Sequence, residues 1–338
     1  MISIDGSYGE AGGQILRTAI GLAAVTGKHV KIFNIRKGRP NPGLQAQHLA
    51  GIKAVAEICD GKLKGSELRS TEVEFVPGKI KSGNYKFDVG TAGAVTLVLQ
   101  SLIIPAIHAE KEISFEISGG THVNWSPTTG FFRHIFSEYL KNMGIKIESE
   151  TLKYGYYPKG GGRILVKIKP CELKSIKILG RGKLIETEAW SNANLNLKNA
   201  KVAERQLEGA EKIIPLIKGN VKYVNSLSIG SSITIASKFE NCVLGASSLG
   251  ERNKPAEKVG EEAANLLKKQ IDSSATIDEH MSDQILPFLA LAKGKSEFIT
   301  SEFTKHAETN IWVIKQFLDV DFEIEKLEKW MKISCGGL

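Results

Sequence analysis

One order of elements, helix, strand, helix, strand, strand, returns three times along this 338-residue chain, and that recurrence restricts its fold more than any single motif does. In the first pass a helix begins near Gln14 and runs to Gly27, and His29–Asn34 reads as a strand. Gly43–Asp60 reads as a helix, with Leu44, Leu49, Ile52, Val55 and Ala56 at helical spacing, and Ser70–Val76 and Tyr85–Val89 are extended. The second pass runs through a helix at Ala94–Ile107, a strand at Glu112–Ile117, a helix at Thr128–Met143 and strands at Ile145–Glu150 and Gly162–Lys169. The third has helices at Ser282–Ala292 and His306–Phe317 around a strand at Ser296–Thr300, then strands at Asp321–Ile324 and Trp330–Ser334. Each pass spans about 55 to 80 residues, too few to cover both faces of its own sheet, so three such units would pack around shared helices. The expected fold is α/β (α+β), three repeats in a pseudo-threefold arrangement.

Between the second and third passes the pattern changes. Residues 181–278 hold a strand at Leu184–Trp190, a helix from Ala200 to about Lys218, strands at Ser231–Phe239 and Cys242–Ala246, and a helix at Pro255–Gln270. Gly180-Arg181-Gly182 and Asp272-Ser273-Ser274 suit linkers at its ends. The expected organisation is one three-repeat catalytic domain, residues 1–180 plus 279–338, with an inserted small α/β domain at 181–278.

Composition excludes several classes of function. At 42% hydrophobic and 24% charged residues the chain reads as an ordinary globular protein. Its most apolar run, Ala94–Ile107, is interrupted by Gln100 and Pro105 and is shorter than the roughly 18 to 20 residues that span a bilayer. The chain enters Ile2-Ser3-Ile4 without a basic region and an apolar core, so no signal peptide is visible and a cytoplasmic location with no membrane partner is expected. Cys59, Cys171, Cys242 and Cys335 lie far apart, without CxxC or Cys/His spacing, which argues for buried thiols over a zinc site or a disulfide framework. A net charge of +8 inclines modestly toward a polyanionic partner.

Chemistry-bearing residues concentrate in the loops. Asp5-Gly6-Ser7-Tyr8-Gly9-Glu10-Ala11-Gly12-Gly13 leads into the helix that carries Arg17. Its glycines free the backbone, and the first helix amides favour an anion, with Glu10 an acceptor for a cation and Arg17 a positive charge on the same rim. The run is neither a P-loop nor GxGxxG, so alone it defines no nucleotide site. Arg36-Lys37-Gly38-Arg39-Pro40-Asn41-Pro42-Gly43-Leu44-Gln45-Ala46-Gln47-His48 sets three cations before a helix start, a geometry that suits phosphate. Gly119-Gly120-Thr121-His122-Val123-Asn124-Trp125-Ser126-Pro127 and Gly155-Tyr156-Tyr157-Pro158-Lys159-Gly160-Gly161-Gly162 are two further glycine-rich loops.

Taken in order, DGSYGEAGGQILR, RKGRPNPGLQAQH, GTAGAVTLVLQ, SGGT, PKGGG, DEHMSDQ and a late His306 followed by Thr309-Asn310 resemble the RNA 3'-terminal phosphate cyclases over nearly the whole chain. The resemblance implies a three-repeat α/β domain related to the carboxy-terminal domain of translation initiation factor three and to the enolpyruvyl transferases, with a thioredoxin-like insert. It implies ATP-dependent conversion of an RNA 3'-phosphate to a 2',3'-cyclic phosphodiester through an enzyme-AMP and an RNA-3'-pp-5'-A intermediate, with release of AMP and pyrophosphate.

The same resemblance assigns roles. His306 would be the nucleophile that carries AMP, and Glu10 would bind the divalent cation, magnesium or manganese, or the triphosphate. Gln100, Pro127, His280, Asp283 and Gln284 would form the nucleoside pocket of ATP, and Arg17, Arg36, Arg39, Gln47 and His48 the side that holds the terminal phosphate of RNA. Two positions depart from the family pattern. Ala11 stands at a glycine of the opening motif, a change that is harmless only if that residue keeps φ < 0. His280 stands where some members place a tyrosine against adenine. Two other functions share the expected architecture: a catalytically silent RNA-binding homologue in ribosome assembly, which would lack the nucleophile, and a small-molecule transferase, which would need no adenylylation. A homo-oligomer is left open.

Overall fold

The computed structural model describes all 338 residues. It is a mixed α/β protein with four four-stranded sheets. The first sheet comprises β1 (Ile2–Asp5), β2 (Val30–Phe33), β3 (Lys62–Lys64) and β4 (Val73–Val76), with α1 (Gln14–Thr26) and α2 (Ala46–Ile58) between its strands. The second comprises β5 (Gly83–Asp88), β6 (Ile113–Gly119), β7 (Lys146–Lys153) and β8 (Gly162–Lys169). Its helices are α3 (Val95–Ala106) and a run of α4 (Thr129–Phe131), a π turn (Phe132–Phe136) and α5 (Ser137–Asn142).

A third sheet opens with β9 (Lys177–Ile178) and is then interrupted. The interruption is a fourth sheet, β10 (Leu184–Asn194), β11 (Lys218–Val224), β12 (Ser231–Phe239) and β13 (Val243–Leu249), with α6 (Val202–Glu211) and α7 (Ala256–Asp272). The chain then returns through α8 (Glu279–Gln284), α9 (Leu286–Leu291), β14 (Ser296–Thr300), α10 (Lys305–Phe317), β15 (Phe322–Lys326) and β16 (Met331–Cys335) to complete the third.

Three of the sheets have the same strand order: β1-β2-β4-β3, β5-β6-β8-β7 and β9-β14-β16-β15. In each, the first two strands are parallel and the rest antiparallel. The fourth has another order, β11-β10-β12-β13.

Local sequence accounts for the elements that position the site. Burial on several sides of α1, from Ile15 and Leu16 to Ala23 and Ala24, follows from its packing between α2, α3 and α10. Gly27, at φ +68°, ends it in the left-handed conformation that glycine accepts most readily. In β8 the alternation is clean: Ile164, Val166 and Ile168 point inward and Arg163, Lys167 and Lys169 outward. On α7, Val259, Ala263, Ala264 and Leu267 repeat at helical spacing on the buried face.

One continuous core runs from Ile4 to Cys335 and includes Ala189, Ile233 and Leu267 beside the fourth sheet. The helical run 129–142 is the junction. The Tyr139 hydroxyl lies 2.6 Å from the carbonyl oxygen of Val243 and 2.7 Å from that of Thr276, and His134 stacks on Trp190 at 3.5 Å.

Several element boundaries differ from the sequence reading. Thr128–Met143 is not one regular helix, because its middle turns widen to π geometry. Ser282–Ala292 is two short helices starting earlier, at Glu279, where the buried Asp278 side chain caps the amides of His280 and Met281. The helix expected to reach Lys218 ends at Glu211, and Lys218–Val224 is an unexpected parallel edge strand. All four cysteines are free thiols.

Candidate active site

The amino-terminal glycine loop and the start of α10 meet although nearly the whole chain separates them. Thr304 caps α10 by accepting from the Ala307 amide, which fixes His306 in the first turn. His306 Nε2 lies 2.9 Å from Glu10 Oε2, and its Nδ1 lies 3.7 Å from Asp283 Oδ2. Arg39 closes the other side of Glu10: its Nε donates to the Glu10 carbonyl oxygen at 2.8 Å and an Nη is 3.8 Å from the carboxylate.

Backbone fit explains two of the glycines. A Cβ on Gly9, which has φ +57°, would lie 2.5 Å from Thr309 Oγ1, and one on Gly13 would lie 2.3 Å from His48 Nε2. The loop backbone therefore lies directly against side chains of α10 and α2. Tyr8 stacks on Trp312 with ring centroids 4.0 Å apart and adds an aromatic clamp between the loop and α10.

The carboxylate side is tied by α1. Thr18 Oγ1 donates to Asn310 Oδ1 at 3.0 Å, and Asn310 Nδ2 donates to the Asp283 carbonyl oxygen at 2.9 Å. Burial raises the Asp283 carboxyl to about 7, with Asp278 and Glu10 acting in the same direction and Arg17 opposing. Burial also lowers the Arg17 guanidinium to about 10, so it stays charged at neutral pH. The His306 imidazole is held below its ordinary value by burial, with Glu10 opposing and Arg17, Arg39 and His280 adding to the decrease.

On the cationic side, His48 is buried at the start of α2, where its Nδ1 accepts from the Gln45 amide at 3.2 Å. Burial and the nearby Arg17 and Arg36 push its imidazole down to about 3, so it is neutral and a hydrogen-bonding group only. Arg36, at φ +57°, donates through Nε to the Asn41 carbonyl oxygen. Gln47 is turned toward α3, where its Oε1 accepts from the Ala94 amide at 3.1 Å.

A polar row extends away from Asp283. Gln100 Nε2 donates to Gln284 Oε1 at 2.6 Å, and Gln284 Nε2 donates to the His280 carbonyl oxygen at 2.6 Å. One turn before Gln100, Thr96 Oγ1 donates to the Pro127 carbonyl oxygen at 2.7 Å and brings that loop alongside.

Glu10, Arg17, Arg39, Asp283 and His306 thus form one cluster, with His48 beside Arg17 and Arg36 near Arg39 and His48. Gln100, His280, Gln284 and Pro127 form an adjoining row, and Gln47 lies at the junction of α2 and α3. The condition set for Ala11 is not met. The residue has φ +50° and is buried, so the side chain sits in the left-handed region and not at φ < 0. Sequence reading missed the Tyr8–Trp312 stack and the part played by Thr18. Thr18 carried a signal, being a polar residue on a helix that is buried on most sides.

No group of three or more His, Cys, Asp or Glu side chains stands close enough to hold a metal ion. The arrangement offers a half-buried imidazole between two carboxylates, beside guanidinium groups able to hold phosphate oxygens.

Comparison with known proteins gives a consistent result. The family model described as RNA 3'-terminal phosphate cyclase matches residues 8–324. The RNA 3'-terminal phosphate cyclase of Methanopyrus kandleri is 44% identical over 97% of this chain and 96% of its own length. That of Archaeoglobus fulgidus is 42% identical over 97% and 99%. Among solved structures, the enolpyruvyl transferase NikO from Streptomyces tendae is similar at a TM-score of 0.39 and 9% identity, over 98% of this chain and 47% of that one.

Proposed function

This chain belongs to the RNA 3'-terminal phosphate cyclase family, and we propose that it uses ATP to close an RNA 3'-terminal phosphate into a 2',3'-cyclic phosphodiester, releasing AMP and pyrophosphate. The observation that carries this reading is the position of His306, between Glu10 and Asp283 at the edge of a guanidinium-rich rim.

A 3'-phosphomonoester resists closure by its neighbouring hydroxyl because the phosphate is a dianion and its leaving group would be oxide or hydroxide. Adenylylation removes both obstacles. In the first step a neutral His306 nitrogen attacks the α-phosphorus of ATP, an N–P bond forms, and the bond to pyrophosphate breaks. The depressed basicity of His306 keeps it neutral at pH 7. In the resting contact Nε2 carries the proton that faces Glu10; as the ATP phosphates displace Glu10, the imidazole proton would move to Nδ1, which faces Asp283, and leave the Nε2 lone pair for attack.

In the second step an oxygen of the RNA 3'-phosphate attacks the same phosphorus and the N–P bond breaks, giving RNA-3'-pp-5'-A. Arg17, Arg36 and Arg39 would hold that phosphate, with Gln47 and the neutral His48 as hydrogen-bonding partners. In the third step the 2'-hydroxyl attacks the RNA phosphorus, AMP leaves, and the hydroxyl proton passes to the freed His306 imidazole. The intramolecular geometry gives this closure its high effective concentration. Gln100, Pro127, His280, Asp283 and Gln284 would receive the nucleoside of ATP.

Magnesium or manganese fits this donor set only as an ion held mainly by triphosphate and water, with Glu10 as its protein ligand. When bound, it would offset the charge on the leaving pyrophosphate. The reading extends to the architecture. The three like-ordered sheets would be copies of one unit in pseudo-threefold arrangement, forming a catalytic domain of residues 1–180 plus 279–338. Residues 181–278 would be a thioredoxin-like insert. Matching strand orders support the first point and the different order of the fourth sheet the second. A cytoplasmic location goes with the RNA substrate.

Incubation with ATP labelled at the α-phosphate should label the protein, and an RNA 3'-phosphate should then discharge the label and become cyclic. Absence of labelling with either metal would overturn the reading in favour of a silent RNA-binding homologue.

A further inference from the structure

Trp125 is the most exposed large apolar side chain of the molecule, at 97%, yet the loop that carries it is firmly anchored. Ser126 Oγ donates to the Val123 carbonyl oxygen at 3.0 Å, and Thr96 Oγ1 holds the Pro127 carbonyl oxygen. Thr128 accepts from the Phe131 amide at 3.0 Å and lies 3.2 Å from both Thr234 and Ser247 hydroxyls. Trp125 itself has φ +65°, a conformation that side chains other than glycine seldom take. An anchored, strained loop that holds an indole in water is a presentation device, since exposed aromatic area is disfavoured unless something covers it.

Three surroundings indicate what covers it. Thr96, which anchors the loop through Pro127, is one turn from Gln100 on α3, so the loop that carries the indole borders the Gln100–Gln284 row. Beside it is a hollow of about 230 Å³, lined in part by the hydroxyls of Ser247 and Ser248, by Glu251 and by Lys254, whose charge is paired with Glu262. In the neighbouring loop, bridged to this one between His122 and Tyr156, Tyr157 is 75% exposed and is followed by Lys159. Two exposed aromatics set among hydroxyls, with the unpaired Lys159 beside Tyr157, make a surface on which bases of single-stranded nucleic acid can stack.

We propose that Trp125 is a stacking platform for a base of the single-stranded RNA that leads to the reacting 3' end. The proposal rests on the RNA substrate argued above. It makes Trp125 a positioning residue: the indole captures a base upstream of the terminus and aligns the terminal phosphate with the guanidinium rim.

The test is the affinity, by fluorescence anisotropy without ATP, of a 5'-labelled decaribonucleotide bearing a 3'-phosphate for the wild type, Trp125→Phe and Trp125→Ala. The side chain packs against nothing in the chain, so truncation should leave folding intact. Trp125→Ala should bind about tenfold more weakly and Trp125→Phe within about threefold of wild type, in line with base–aromatic stacking. In the cyclisation assay KM should rise by a similar factor with kcat unchanged. Wild-type affinity in Trp125→Ala would overturn the proposal. Loss of covalent labelling by ATP in that variant would also overturn it, because the indole would then serve adenine and not RNA. Tryptophan-dependent binding without any cyclisation would leave the platform standing and remove the proposed reaction instead.

Discussion

The side-chain amide of Asn310 donates to the backbone carbonyl of Asp283 at 2.9 Å while its oxygen accepts from Thr18, so one buried residue on α10 fixes both α8 and α1. His306, the proposed nucleophile, and the carboxylate that faces it are therefore held by the same side chain, one turn along the helix.

Asn310→Ala should remove both bonds and leave the Thr18 hydroxyl and the Asp283 carbonyl without their partner. The expected loss of stability is about 1–3 kcal/mol, read from urea unfolding. Labelling by ATP should fall with it, whereas an unchanged unfolding midpoint would show that water replaces the amide.

His306→Ala should abolish covalent labelling, and His306→Asn should do the same, because it keeps a hydrogen-bonding group and supplies no nucleophile. The wild-type adduct should be labile in acid and stable in alkali, as a phosphoramidate is. Hydroxylamine-sensitive label would instead mark an acyl adenylate on Glu10 or Asp283.

The two loop arginines should separate. Arg39 touches Glu10 through both backbone and carboxylate, so Arg39→Ala should impair enzyme labelling and cyclisation together. Arg36 makes no such contact, and Arg36→Ala should impair cyclisation alone, by about 1.5–3 kcal/mol in kcat/KM for the RNA. Equal losses in both half-reactions for Arg36→Ala would move it to the ATP side.

Asp283 should leave a mark on the pH dependence of stability. Its carboxyl is raised to about 7 in the fold, so the native state holds a proton that the unfolded chain releases near pH 4. Its contribution is fully present below about pH 4, declines as pH rises toward 7, and is gone above. Asp283→Asn removes that titration, so its stability relative to wild type should rise between pH 4 and 7 and then level off. Parallel curves across that window would show an ordinary carboxylate.

Ala11→Gly should be stabilising. The residue is buried at φ +50°, which disfavours a Cβ by about 1–2 kcal/mol, partly offset by the greater freedom of glycine when unfolded. A net gain of about 0.5–1 kcal/mol, seen as a higher thermal midpoint, is expected.

How much of this was legible in the sequence depended on whether the signal was local. The amphipathic α7 and the alternating β8 carry their periods openly, and the glycine loop announced backbone contact that Gly9 and Gly13 make. Lys218–Val224 hides because an edge strand bonded on one side needs no alternating apolar face, and six of its seven residues are at least partly exposed. Lys177–Ile178 is too short to show a period. The cluster around His306 was reachable only through family resemblance, because no spacing rule connects Glu10 with a residue at the far end of the chain. The left-handed conformation of Ala11 was not legible because alanine gives no hint of positive φ, and the Tyr8–Trp312 stack left no periodic trace at all.

The Thr18–Asn310 bond spans 292 residues, and that separation orders events during synthesis. Glu10, Arg17, Arg39 and His48 all emerge from the ribosome long before α10 does, so the cluster that they form around His306 is assembled only once the last helix has packed against α1.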